Sequence, residues 1–281
     1  GIRHSGIKRL KRALGLAKRR LSKERIPQKM INLIMHGCNG AMGRVISATA
    51  QEMDGIRIAA GVDLNTEKNY DYPVYASLGE CTEAADAVVD FASAKAVDEL
   101  LDYCLEKELP LVLCTTGLTE EQLKRAEDAS KRIPVLRSAN MSLGVNLLLK
   151  LIQDAAKVLG NAGFDMEIVE KHHNQKKDAP SGTALAMAEA VNEAMGGLYH
   201  FVTDRSSIHE KRDGKEIGIS SVRGGSIVGE HDMIYAGKDE VITISHTAYS
   251  KAIFAKGALE AAKFLAGKQP GLYTMTDVIG L

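Results

Sequence analysis

Residues 31–44 read Ile31-Asn-Leu-Ile-Met-His36-Gly37-Cys-Asn-Gly40-Ala-Met-Gly43-Arg44. The first six form a short apolar run of strand composition that leads straight into three glycines. A helix is expected next, carried by Val45, Ile46 and Met53. A second strand then starts at Ile56 and ends on Asp63. Strand, glycine turn, helix, strand and terminal acid follow the order of a Rossmann βαβ unit. Pyrophosphate oxygens must reach N–H groups at a helix N-terminus, so side chains in that turn must be absent or turned away. Gly37 and Gly40 permit the turn and the close approach, and Gly43 lets the helix sit against the strand. The spacing is G-x-x-G-x-x-G, with Cys38 where the commoner pattern has a glycine.

Asp63 bears on cofactor choice. A carboxylate there accepts hydrogen bonds from ribose hydroxyls and repels a 2′-phosphate. Leu64 and Asn65 follow without positive charge, and Lys68 is the nearest cation in sequence. NADH is therefore expected to be preferred over NADPH.

The alternation of strand and helix continues. Ala87 to Ala92 reads as a third strand, and Ser93 is expected to cap a helix running to Lys107. Leu111 to Cys114 and Ile133 to Leu136 read as further strands, with a Thr119/Gln122 capping box between them. Ligands of open parallel sheets bind outside the carboxyl ends of the strands. That places Phe91, the Cys114-Thr115-Thr116 turn and Ser138-Ala139-Asn140-Met141 around the cofactor.

The chain has 281 residues, enough for one large domain or two modest ones. It holds 36 basic and 36 acidic residues, but the balance is uneven. Residues 1–30 carry 11 Lys and Arg and one acid, Glu24, leaving 25 basic and 35 acidic residues in the body. An acidic body argues against a nucleic-acid partner, and the apolar runs are too short for a membrane span. The basic segment precedes a natural-looking start at Met30. It is expected to be an upstream extension or a cloning leader, although its apolar stripe also fits a membrane-surface helix or transit peptide. Four cysteines without C-x-x-C spacing suggest neither zinc nor a disulfide framework and point to the reducing cytoplasm.

From Leu143 an apolar helix runs to about Leu159. The most informative stretch follows: MEIVEKHHNQKKDAPSGTA at 166–184. A strand delivers His172 and His173, whose side chains are expected on opposite faces with different tasks. Lys176 adds a fixed positive charge. Ser181-Gly182-Thr183 opens a helix, so its N–H groups and hydroxyls suit an anion. The set reads as a cradle for a small dicarboxylate. A metal is not expected: Glu170 is the one further ligand in reach, and adjacent histidines on opposite faces do not chelate together. Residues 217–222, 227–235 and 240–246 alternate like antiparallel strands. Ala252 to Leu265 reads as an amphipathic helix that returns the chain to the first domain.

These segments resemble dihydrodipicolinate reductase, a bacterial family of the diaminopimelate route to lysine. The resemblance rests on GCNGAMGR (37–44), VDFA (89–92), CTTG (114–117), SANMSLGVN (138–146), EIVEKHHNQKKDAPSGTA (167–184), SVRGGSIVGEH (221–231) and FAKGALEAA (254–262), and spans residues 31–281. It implies NAD(P)H-dependent reduction of 4-hydroxy-tetrahydrodipicolinate. His172 would donate and accept the proton, with Lys176 as a second donor. His173, Ser181, Gly182 and Thr183 would bind substrate. Gly37, Cys38, Asn39, Gly40, Ala41 and Met42 would hold the pyrophosphate, and Asp63 the ribose. Phe91, Cys114, Thr115, Thr116, Ser138, Ala139, Asn140 and Met141 would line the rest of the cofactor site. It also implies a homotetramer built by pairing second-domain sheets. Cys114 departs from the family's usual glycine, and Leu64 from the arginine of NADPH-tolerant members.

The expected fold class is α/β: a Rossmann-type dinucleotide-binding domain (31–141 and 251–281) plus an α+β substrate and oligomerisation domain with a mixed open sheet (142–250). Two other functions compete. A dehydrogenase of another small imino or amino acid would turn over those substrates instead. A non-catalytic NAD-binding sensor would bind cofactor without turnover.

Overall fold

The computed structural model describes residues 29–138 and 140–280. The expected leader, apart from Lys29 and Met30, and the cofactor residue Ala139 lie outside the described residues. Residues 31–281 form one compact unit built on two sheets.

The first sheet is parallel and seven-stranded. Its strands are β1 (Ile31–His36), β2 (Ile56–Val62), β3 (Val74–Tyr75), β4 (Ala87–Asp90), β5 (Leu111–Leu113), β6 (Pro134–Arg137) and β12 (Gly271–Tyr273), in the order β12-β6-β5-β4-β1-β2-β3. The chain steps outward from β1 to β3 and then returns to β4 on the other side of β1. The junction of β1 and β4 is therefore the switch point, where such sheets open a crevice at their carboxyl ends.

Strand alternation divides the core. Leu33, Met35 and Val89 face one side, under α1 (Ala41–Glu52) and α6 (Ala252–Leu265). Ile34, Val88 and Val135 face the other, under α2 (Val97–Lys107) and α3 (Glu120–Ser130). Leu100, Leu101 and Cys104 fall at helical spacing on the buried face of α2. The Thr119/Gln122 capping box that opens α3 is present in both directions. Ser93 makes no cap bond; a 3-10 turn at Ala94–Ala96 intervenes before α2. The return of the chain reaches further than its pattern suggested, because β12 is too short to show alternation yet supplies the edge strand beside β6.

The second sheet has five strands: β7 (Asp165–His172), β8 (His200–Val202), β9 (Glu216–Arg223), β10 (Gly229–Ala236) and β11 (Val241–Ala248), in the order β11-β10-β7-β9-β8. Two helices cover one face: α4 (Leu143–Leu159), capped by Ser142, and α5 (Gly182–Ala194), capped by Ser181. The expectation of consecutive antiparallel strands holds for β10 and β11 only. β9 lies parallel to β7, and β7 separates it from β10. The Gly224-Gly225 turn is therefore not a hairpin. It carries the chain across the end of β7, and Gly224 donates its N–H to the His172 carbonyl there. The fold is thus α/β, a Rossmann-type parallel sheet joined to a mixed open sheet.

Candidate active site

The first-sheet crevice sits at the switch point and encloses about 460 Å³. Gly37, Gly40, Asp63 and Phe91 all line it. Gly37 has φ +81°, and a Cβ there would lie 2.8 Å from the Phe91 carbonyl. A Cβ on Gly43 would lie 2.1 Å from the Gly37 oxygen. The bare backbone therefore folds tightly enough to leave a cradle beneath the first turn of α1. No side chain caps that helix, so the N–H groups of Ala41 and Met42 stay free for an anion.

Other members of the turn are occupied. The Asn39 N–H donates to Asp63 Oδ2 at 2.9 Å, and its side-chain amide donates to the carbonyls of Asn65 and Glu67. Asn39 thus ties the glycine turn to the loop after β2. Cys38 is buried against Gly61, with its thiol pushed up to about 11 by burial and by the charge of Asp63. Lys68 does not line the crevice. Lys95 does, from the 3-10 turn before α2, and sequence proximity to Asp63 does not find it.

Beside the crevice, His36 Nδ1 lies 2.8 Å from Asp90 Oδ1, which also accepts the Ala92 N–H at 3.1 Å. This pair pins the Phe91-Ala92 turn against Gly37. At the end of β5, Cys114 is partly buried and Thr115 Oγ1 is shut from solvent with no partner among the described residues. Thr116 is exposed beside it. An orphaned hydroxyl at a strand end fits a polar group of a bound cofactor. After β6, Ser138 Oγ donates to the Asn140 carbonyl, and Met141 is buried under α6.

The second cavity holds about 500 Å³ and lies over the carboxyl end of β7. Its walls include Asn140, His172, His173, Thr183, His231 and His246. Along β7 the side chains alternate strictly, so Glu170 and His172 share the buried face. His172 Nδ1 lies 2.5 Å from Glu170 Oε2. Arg223, at the end of the neighbouring β9, grips both Glu170 oxygens at 2.8 Å. The Ser181 N–H donates to Glu170 Oε1 at 3.1 Å. Burial alone would raise the pKa of Glu170. Hydrogen bonds from Arg223, Ser221, His172 and Ser181 outweigh it and hold the carboxyl down at about 2. The site therefore keeps a fixed negative charge behind His172, which orients the ring and suits an imidazolium.

His173 lies just past the end of β7, so strand alternation does not reach it. Both histidines line one cavity instead of opposite faces. Lys176 pairs with Asp178 at 2.8 and 2.9 Å. Ser181 caps α5 by accepting the Ala184 N–H, leaving the Gly182 and Thr183 N–H groups in the first turn. Asn140 donates to Thr183 Oγ1 at 3.4 Å, joining the loop after β6 to the start of α5. Glu170, the further ligand a metal would need, is committed to Arg223 and His172. Among the described residues no group of three His, Cys, Asp or Glu side chains is placed to hold a metal ion. No helix among them is long and apolar enough to cross a membrane.

Sequence reasoning missed Glu170 as an orienting group, and missed Arg223, His231, His246, His36 and Lys95 altogether. Arg223 and His231 sat inside the quoted SVRGGSIVGEH segment without a role.

A family model described as the N-terminus of dihydrodipicolinate reductase matches residues 31–141, and one for its C-terminus matches residues 144–279. The chain is 55% identical over 250 residues to a 4-hydroxy-tetrahydrodipicolinate reductase of Caldanaerobacter subterraneus, covering 89% of this chain and 98% of that one. It is 46% identical over 246 residues to the enzyme of the same name from Clostridium tetani, covering 88% and 96%. Among solved structures, a dipicolinate-bound dihydrodipicolinate reductase from Paenisporosarcina superposes with a TM-score of 0.75 at 25% identity, covering 88% of this chain and 98% of that one. A probable dehydrogenase from Thermotoga maritima, 10% identical with a TM-score of 0.55 and coverage of 89% and 92%, shares the fold alone.

Proposed function

The chain belongs to the dihydrodipicolinate reductase family and is an NAD(P)H-dependent oxidoreductase, and we propose that it reduces 4-hydroxy-tetrahydrodipicolinate to tetrahydrodipicolinate with proton donation by His172 and Lys176. The observation that carries this reading is the Asn140–Thr183 contact. It brings the strand-end loop of the parallel sheet to the anion cradle of the second sheet, with His172 on the wall between them.

In this reading residues 31–141 and 251–281 bind the dinucleotide, and residues 142–250 bind the substrate. Gly37 to Met42 form the pyrophosphate turn, with backbone contact from Gly40, Ala41 and Met42 and a shaping role for Cys38 and Asn39. Asp63 takes the ribose, and Phe91, Cys114, Thr115, Thr116, Ser138, Ala139, Asn140 and Met141 surround the remainder. When bound, the reduced nicotinamide supplies the hydride. The Gly182 and Thr183 N–H groups, with His173 and the Ser181 turn, hold one carboxylate. Lys176 exchanges Asp178 for a substrate carboxylate and neutralises charge that shifts onto the ring. The substrate first loses its 4-hydroxyl and a neighbouring ring hydrogen as water; the hydride then adds to the conjugated ring, and His172, backed by Glu170, delivers the one proton that completes the reduction.

NADH is the preferred cofactor, because Asp63 sits on the crevice wall and Leu64 beside it carries no charge. The enzyme is a homotetramer that pairs the uncovered faces of its second sheets. That face exposes Val222 by 45% and Val241 by 61%, and an open sheet face of this kind needs cover. Its four thiols are free, which suits the cytoplasm.

The test is oxidation of NADH and of NADPH with substrate made in situ from pyruvate and aspartate semialdehyde by the preceding synthase. Turnover favouring NADH supports the reading. Absence of turnover by protein that still binds NADH overturns it. Light scattering checks the tetramer.

A further inference from the structure

Ser181 Oγ and His231 Nε2 lie 2.9 Å apart, and both residues are buried. They come from the start of α5 and from β10, fifty positions apart in sequence. Ser181 Oγ already accepts the Ala184 N–H as the helix cap. Burial, and next the nearby His172 charge, push His231 down to about 4, so near neutral pH its ring carries a single proton. The pair therefore owns two hydrogens, one on the hydroxyl and one on the ring. Only one can lie in the bond between them, so one is left over.

Counting unpaired groups decides which hydrogen that is. With the ring proton on Nε2, both the hydroxyl hydrogen and the Nδ1 lone pair would lack partners, whereas with it on Nδ1 only that N–H does. The hydroxyl therefore donates to Nε2, and the spare hydrogen sits on His231 Nδ1. That atom is shut from solvent and has no partner among the described residues. A buried donor without an acceptor is unfavourable until something completes it. His231 lines the cavity, and the χ2 torsion of a histidine is broad, so a bound ligand can draw the ring toward it. The ligand group that best satisfies a lone N–H there is an anionic oxygen.

We propose that His231 is a further substrate-binding residue: its Nε2 holds the Ser181 hydroxyl in the anion cradle, and its Nδ1–H is kept for a carboxylate oxygen of the substrate. The assignment rests on the reading of this cavity as the dicarboxylate site. It makes His231 a discriminator, because a substrate without an acceptor at that point would leave the buried N–H unpaired.

The experiment uses the full chain with His231→Leu and His231→Gln. It measures steady-state kinetics, NADH affinity, and dipicolinate binding to the NADH-loaded protein. Leu removes both functions of the ring. Gln returns a polar group near the Nε2 position and a partner for Ser181, but no donor at Nδ1. The expected result is that KM for substrate and Kd for dipicolinate rise about tenfold in both variants, with kcat and NADH affinity within about threefold of the parent. A Gln variant with the parent's KM and dipicolinate affinity would overturn the assignment of Nδ1. NADH affinity lost in parallel in the Gln variant would also overturn it, by assigning His231 to the fold and not to the substrate; if Leu does not fold, Gln alone carries the test. A parent protein that binds dipicolinate in a His231-dependent way without reducing 4-hydroxy-tetrahydrodipicolinate would sink the proposed activity and leave the His231 assignment standing.

Discussion

His172 Nδ1 lies 2.5 Å from the carboxylate of Glu170, two residues earlier on the same face of the same strand. The period of a β-strand places the carboxylate behind the imidazole, and Arg223 on the parallel neighbour β9 clamps the carboxylate from the other side. One strand and its partner thus line up imidazole, carboxylate and guanidinium in a single buried chain.

Replacing His172 by Gln is expected to lower kcat by about 10²–10⁴, the range of a lost general acid. Glu170→Gln is expected to lower kcat as well, because the ring loses its fixed charge and its preferred tautomer. It also leaves Arg223 without its carboxylate, so the melting temperature should fall. An unchanged kcat in His172→Gln, measured under saturating NADH, would remove His172 from the chemistry.

Acid should unfold the protein in two overlapping stages. His231 has a folded pKa of about 4 against an ordinary 6.5, so its contribution is whole above 6.5 and is lost as pH falls through 4. Glu170, at about 2 against an ordinary 4.5, contributes fully above 4.5 and loses that as pH falls toward 2. For His231 the loss is the cost of charging a buried ring, and for Glu170 it is the loss of the hydrogen bonds from Arg223 and Ser181 to its charged form. Denaturant melts from pH 7 to pH 3 should show stability falling throughout. In Glu170→Gln the decline below pH 4.5 should flatten, and an unaltered slope would show that the charged clamp contributes nothing.

The parallel sheet was legible because Ile31 to Gly43 combines a buried strand, a glycine turn and a helix at fixed spacing, and each part is local. The Thr119/Gln122 cap was legible for the same reason. The pairing of β9 was not, since period-2 alternation shows which side chains are buried but never which strand lies alongside. β12 has three residues, too few for any period. Nothing local marks Glu170 as an orienting group, because its partner Arg223 is 53 residues away. Lys95 reaches the crevice and Lys68 does not, because the crevice gathers residues by strand order and β4 lies next to β1.

Gly43→Ala tests the cradle. Its Cβ would meet the Gly37 oxygen at 2.1 Å and the Cys38 oxygen at 2.6 Å, both backbone atoms that cannot swing aside. The turn must open, which moves the Ala41 and Met42 N–H groups away from the pyrophosphate position. NADH affinity is expected to fall at least about tenfold with some loss of stability. Titration of NADH fluorescence reads this without turnover. Gly40→Ala is the control, since its Cβ meets only the Gly37 oxygen, at 3.3 Å, and stability should change little.

Asp63, Lys95 and Glu99 are the charged residues lining the crevice, and Asp63 is expected to select between NADH and NADPH. Asp63 accepts the N–H groups of Asn39 and Asn65, so its carboxylate is held in place and cannot retreat from a 2′-phosphate. Asp63→Ser removes the negative charge and leaves Lys95 as the cation of the crevice. The ratio of kcat/KM for NADPH over NADH is then expected to rise by about tenfold or more, mainly through KM for NADPH. Adding Lys95→Ala to that variant should reverse much of the gain. The effect should weaken in high salt, because the charges of an open crevice are screened. If Asp63→Ser loses NADH without gaining NADPH, the acid serves the loop through Asn39 and Asn65 and does not select the cofactor.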